Sequence, residues 1–167
     1  MKPIKDLDFW SSLAIIFVTL CLMIATYLRW IQLHILVGPF FIDHWLVWVG
    51  TLYIAFIVPV FYVSKRRYPK RLTTLIRNHA FGNLFAFLLI SVHFAQQIGR
   101  PPQFYPDLET GLALYIVMFI LTITGFLHRF RIIKSVRPHI NRFVHVSITM
   151  SFYIIIGFHI LKGLKIL

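Results

Sequence analysis

The residues with the most chemistry in this chain are histidines. His79 and His93 are fourteen residues apart, and so are His145 and His159. At about 100° per residue, fourteen steps fall only about 40° short of four full turns. Each pair would therefore share one face of a helix, about 21 Å apart along its axis. Neutral imidazole is a ligand that haem iron accepts axially on both faces, and two helices offering it at two matched depths would hold two stacked haems. Two strong axial ligands leave no open coordination position, so the chemistry would be electron transfer. Gly82 and Ala86, three and seven residues after His79, are small on the ligand face, where a flat macrocycle needs room. Phe152, seven after His145, falls midway between the two levels. Each residue also has a plainer reading. A histidine inside a membrane can be a hydrogen-bonding packer between helices, and Gly, Ala and Phe can be ordinary helix contacts. Four histidines at two equal intervals favour ligation, because ionisable residues in a bilayer are expensive and usually functional.

The composition says where such helices would lie. The 167 residues are 59% hydrophobic, 17% aromatic and only 13% charged, with a mean hydropathy of +0.79. These figures exclude a soluble globular domain. A single cysteine, Cys21, excludes a disulfide framework, a thiolate iron–sulfur cluster and a covalent haem site built by this chain alone. Crossing about 30 Å of hydrocarbon takes roughly 20 apolar residues as helix. Five windows without Asp, Glu, Lys or Arg are long enough, at residues 9–28, 44–64, 78–99, 110–128 and 143–161. The expected fold is an all-α integral membrane bundle of five helices, with residues 1–167 as one transmembrane domain. The first span is too long for a signal-peptide core and lacks a small-residue cleavage site, so it is expected to be retained. Residues 30–42 are apolar but too short to cross and contain Gly38-Pro39, which puts them at the interface with Trp30, Trp45 and Trp48.

Charge gives the orientation. The net charge is +12, and in so apolar a chain it points to loops at a membrane surface and not to nucleic acid. Lys65, Arg66, Arg67, Lys70, Arg71 and Arg77 follow the second span, and Arg129, Arg131, Lys134, Arg137 and Arg142 separate the fourth from the fifth. With Lys2 and Lys5 they make thirteen inner charges against four outer ones, Arg29, Arg100, Lys162 and Lys165. The N-terminus is therefore expected inside and the C-terminus outside, in the plasma (cytoplasmic) membrane. Spans three and five then run in one direction, which sets His79 level with His145 near the cytoplasm and His93 level with His159 near the outer face. A zinc site fits less well, because no third ligand lies level with either pair.

The remaining candidates weigh less. His128 and His139 belong to the basic inner loop and read as solvated or headgroup-facing residues. His34 and His44 flank Asp43 on the outer side, where an acceptor metal ion is conceivable and an interfacial role is the plainer reading. Arg77 and Arg142, two and three residues before the inner histidines, suit either haem propionates or positive-inside anchoring.

Taken together, these residues resemble the ferric reductase-like transmembrane domain shared by ferric reductases, NADPH oxidases and the haem-binding membrane subunit of the periplasmic methionine sulfoxide reductase system. The likeness covers spans two to five. It rests on the two histidines of span three, on Thr122-Ile123-Thr124-Gly125, and on the basic inner loop. It rests also on Arg137-Pro138-His139-Ile140-Asn141-Arg142-Phe143-Val144-His145 leading to His159. The resemblance implies two non-covalent haem b groups, an inner one on His79 and His145 and an outer one on His93 and His159. Electrons would pass outward from a cytoplasmic donor. The chain has no glycine-rich dinucleotide motif, so a separate flavin or iron–sulfur protein, or a quinol, is the expected donor. An outer-side protein or metal ion is the expected acceptor, within a larger membrane complex. The chain is also similar to the N-terminal half of quinol-oxidising cytochrome b, whose ligand helices use the same spacing, although that family enters them from the opposite side. A non-redox anchor whose histidines only pack helices is the third expectation.

Overall fold

The computed structural model describes residues 3–33, 35–101, 108–132, 137–163 and 166, with side chains from Leu7 onward. His34, Lys2, Lys134 and Lys165 lie outside the described residues. The chain is helical in five long elements, α1 (Pro3–Tyr27), α2 (Ile42–Arg67), α3 (Leu72–Ile98), α4 (Leu108–Phe130) and α5 (Pro138–Gly163). A two-residue hairpin, β1 (Leu36–Val37) with β2 (Phe40–Phe41), precedes α2, and a short 3-10 turn at Pro69–Arg71 precedes α3. All five helices are long and apolar enough to cross a membrane. The protein is an integral membrane protein of all-α architecture.

Each helix outruns its charge-free window. The windows measure the hydrocarbon, whereas a helix continues until a terminating signal. α2 ends on Lys65, Arg66 and Arg67, where cations favour the negative end of the helix dipole and reach the headgroups. α5 begins at Pro138, before the apolar run, because proline is well placed in a first turn that needs no backbone N–H partner. The interfacial segment is held by its turn. Gly38 has φ of 64°, as the first position of a type II′ two-residue loop requires, and Trp45 Nε1 donates to the carbonyl of Val37 at 2.8 Å.

The fold comprises two compact units, Met1–Pro102 and Gln103–Leu167. In the first, α1 and α2 both pack on α3. α1 turns a polar stripe inward: Asp8, Ser12, Thr19 and Thr26 are buried at intervals of four and seven, while Phe17 and Trp10 are exposed, as lipid-facing residues should be. Small polar side chains let helix backbones approach closely where apolar packing gains nothing over lipid. Thr19 Oγ1 donates back to the carbonyl of Ile15 at 2.8 Å, so its burial leaves no hydrogen unpaired. α1 closes with Trp30 N–H donating to the carbonyl of Ala25 at 2.9 Å and Arg29 N–H to that of Thr26 at 3.0 Å. This closure needs a left-handed residue, usually glycine. Arg29 takes it, with φ of 61°, at a cost of about 1–2 kcal/mol. Its Nε and Nη2 donate to the carbonyl of Gly99 at 3.0 and 2.7 Å, capping the end of α3.

α2 and α3 form an antiparallel pair whose closest approach runs through small residues. A β-carbon on Gly50 would lie 3.2 Å from the carbonyl oxygen of Ala86, and one on Gly82 would overlap the Tyr53 ring. Tyr53 OH donates to the carbonyl of Asn78 at 3.2 Å. In the second unit α4 and α5 pack against each other. Among the described residues, Leu114 and Met118 are buried on α4 and Phe152 on α5.

Candidate functional site

In the second unit, both histidines of α5 address α4. Thr124 Oγ1 lies 2.9 Å from His145 Nδ1, and Thr110 Oγ1 lies 3.0 Å from His159 Nδ1. The residue after each threonine is a glycine, and a β-carbon there would meet the imidazole: Gly125 at 3.3 Å from His145 Cε1 and Gly111 at 3.4 Å from His159 Cε1. α4 therefore carries a Thr-Gly pair twice, at the same interval of fourteen as the histidines. Antiparallel packing brings the two repeats into register. The Thr124 hydroxyl also lies 2.9 Å from the carbonyl of Ile120 and 3.2 Å from that of Leu121. With its one hydrogen given to those carbonyls it would accept from the imidazole, leaving Nε2 as the free ring nitrogen.

In the first unit, both histidines of α3 address α2. The His79 ring stacks on Phe61, with centroids 4.4 Å apart and planes 17° apart. Asn83 Nδ2 donates to His79 Nδ1 at 3.1 Å, and turning that amide over presents its oxygen in the same place. His93 Nδ1 lies 3.4 Å from Asp43 Oδ2, within ion-pair reach but outside good hydrogen-bond geometry. Asp43 is buried, accepts a hydrogen bond from Gln97 Nε2 on Oδ2 at 3.1 Å, and has His44 Nδ1 3.1 Å from Oδ1. The His44 and His93 rings meet edge to face at 5.5 Å. His44, considered for an acceptor metal, is thus occupied with a carboxylate. Among the described residues no three or more His, Cys, Asp or Glu are grouped to hold a metal ion.

The other candidates fall as follows. Gly82 receives the Tyr53 ring, and Ala86 faces Gly50, so in this fold both let α2 approach α3. Phe152 is 2% exposed, and by the register of the Thr–His pairs Met118 is level with residues 151 and 152. Arg77 Nε pairs with Asp8 Oδ1 at 3.2 Å, which ties the start of α3 to α1. Arg142 is exposed in the first turns of α5. His128 is exposed at the end of α4 and His139 at the start of α5.

The partners of the histidines are what sequence reasoning missed. The signal that points to them is the repeat of Thr110-Gly111 and Thr124-Gly125 at the histidine interval. Asp43 carried a weaker signal, a lone acid in an apolar stretch. No protein-family model, curated protein or solved structure matches the chain.

Proposed function

We propose that this chain is a membrane cytochrome b subunit that conducts electrons across the bilayer through two haem b groups. The observation behind this reading is where the imidazoles turn Nδ1. His145 and His159 each turn Nδ1 to a threonine hydroxyl, and His93 turns Nδ1 toward a carboxylate. A ligating histidine characteristically passes one N–H to such an acceptor, which fixes the ring and leaves the other nitrogen free to bind. The donor set also suits the group: four imidazoles stand in apolar helices, one of them, His93, with the carboxylate of Asp43 beside it.

Held by these histidines, a haem would supply one-electron transfer. The chain's own residues do the rest. His79 and His145 are assigned to one group and His93 and His159 to the other, from matched depth in the sequence. Thr124 and Thr110 hold the α5 rings, Asp43 faces that of His93, and Gly125 and Gly111 let α4 come close to the α5 pair. Phe152 fills the level between. Arg77 and Arg142 stand at the basic end, where propionates would meet them, although Arg77 is already engaged by Asp8. The reading takes the basic loops as cytoplasmic in the plasma membrane, with a separate flavin or iron–sulfur protein or a quinol as donor and an outer-side protein or metal ion as acceptor.

One observation favours a non-redox anchor instead. The α3 histidines already have packing partners on α2, Phe61 for His79 and the Asp43–His44 pair for His93. Visible absorption separates the readings. The chain purified from haem-replete cells should show a Soret band and a reduced α band under the cytochrome reading, and neither under the anchor reading.

A further inference from the structure

The first unit contains a polar cavity that the histidines do not use. It lies where α1 and α3 both end, has a volume of about 140 Å³, and is lined by Thr26, Arg29, Gln32, Gln96, Gly99 and Arg100 among others. Its walls are rich in donors and carry two guanidinium groups, with no carboxylate among the described lining residues. Two buried donors in it lack partners. Thr26 is 2% exposed and its Oγ1 makes no hydrogen bond, and Arg100 Nε is likewise enclosed and unpaired. A buried polar atom left unpaired is costly and uncommon, and two around one cavity call for an acceptor between them. Arg29 spends only Nε and Nη2 on Gly99, which leaves further donors in its five-hydrogen fork.

We propose that this cavity binds a phosphate group. Arginine forks, amide N–H groups and a hydroxyl surround a small volume, and several oxygens arranged about one centre satisfy such a donor set better than the two of a carboxylate. The depth fits as well. α1 leaves the apolar region at Tyr27 and α3 at Ile98, so the cavity lies at the level where phospholipid headgroups carry phosphate. A lipid phosphate and free inorganic phosphate offer the same chemistry, and the test separates them. The proposal does not depend on haem. His93 faces α2, whereas the cavity opens between the ends of α1 and α3.

The test is native mass spectrometry of the full chain in an uncharged detergent, titrated separately with phosphatidylglycerol, diacylglycerol and inorganic phosphate. Arg29→Gln would also uncap α3, so Arg100→Gln carries the comparison, with Thr26→Val beside it and the exposed Arg137→Gln as control. Wild type should bind one phosphatidylglycerol in preference to diacylglycerol. Arg100→Gln should weaken that binding about tenfold, as loss of a charge-assisted bond does, and Thr26→Val should weaken it less. Competition by inorganic phosphate at equal concentration would assign the cavity to the free ion, and its absence would assign it to lipid. Equal binding of diacylglycerol and phosphatidylglycerol without any phosphate adduct, or equal losses in Arg100→Gln and Arg137→Gln, would overturn the proposal.

Discussion

Thr124 Oγ1 lies 2.9 Å from His145 Nδ1 and 2.9 Å from the carbonyl of Ile120 one turn back in α4. With the hydroxyl hydrogen on that carbonyl, the imidazole would donate from Nδ1 and keep its lone pair on Nε2. Thr110 Oγ1 likewise lies 3.0 Å from His159 Nδ1, fourteen residues away on both helices.

Thr124→Val should therefore loosen the hold on the cofactor without disturbing the helix pair, since valine keeps the shape and loses the acceptor. Loss of a partner bonded to a ligating histidine typically costs about 10–100-fold in affinity. Thr124→Ser should retain most of it. Haem dissociation followed by transfer to an apo-globin acceptor measures the difference, and the haem midpoint potential gives a readout that a purely structural role would leave unmoved.

The α2–α3 contact makes a prediction independent of any cofactor. A methyl group on Gly82 would overlap the Tyr53 ring, so Gly82→Ala should destabilise the first unit by about 1–3 kcal/mol, the usual cost of overpacking. Tyr53→Ala in the same chain should recover part of it. A double-mutant cycle on thermal unfolding in detergent should give a coupling of about 0.5–3 kcal/mol. Additive losses would mean that the two residues do not meet.

Much of this was legible in the sequence because the bilayer imposes it. Five charge-free windows gave five helices, since a spanning segment must satisfy its backbone internally. The fourteen-residue interval gave shared faces: His79 and His93 both meet α2, and His145 and His159 both meet α4. What failed to show was partner identity. Gly82 and Ala86 read as room beside a ligand, yet they accommodate Tyr53 and Gly50, because small size does not say which neighbour it serves. The Asp43 contact joins residues fifty apart in sequence, beyond the reach of any local period.

Orientation can be tested by labelling. In a Cys21→Ser background, Trp30→Cys should react with a membrane-impermeant thiol reagent added to intact cells, whereas Lys70→Cys should react only after permeabilisation. The opposite pattern would invert the topology and direct the donor to the other face.

The chain by itself should not oxidise NADH or NADPH, since no glycine-rich dinucleotide motif occurs in it. Mixing purified chain with nicotinamide as the sole reductant should leave its visible spectrum in the oxidised form, and dithionite should then reduce it. Rapid reduction by NADH alone would show a donor site that the sequence does not spell out.

The central claim is two haems on four histidines, and counting them is its most direct measurement. Pyridine haemochrome assay of the chain purified from haem-replete cells should give close to two b-type haems per chain, and close to one after either His93→Ala or His145→Ala. A value near zero in the wild type, or two haems persisting in both variants, would contradict the account.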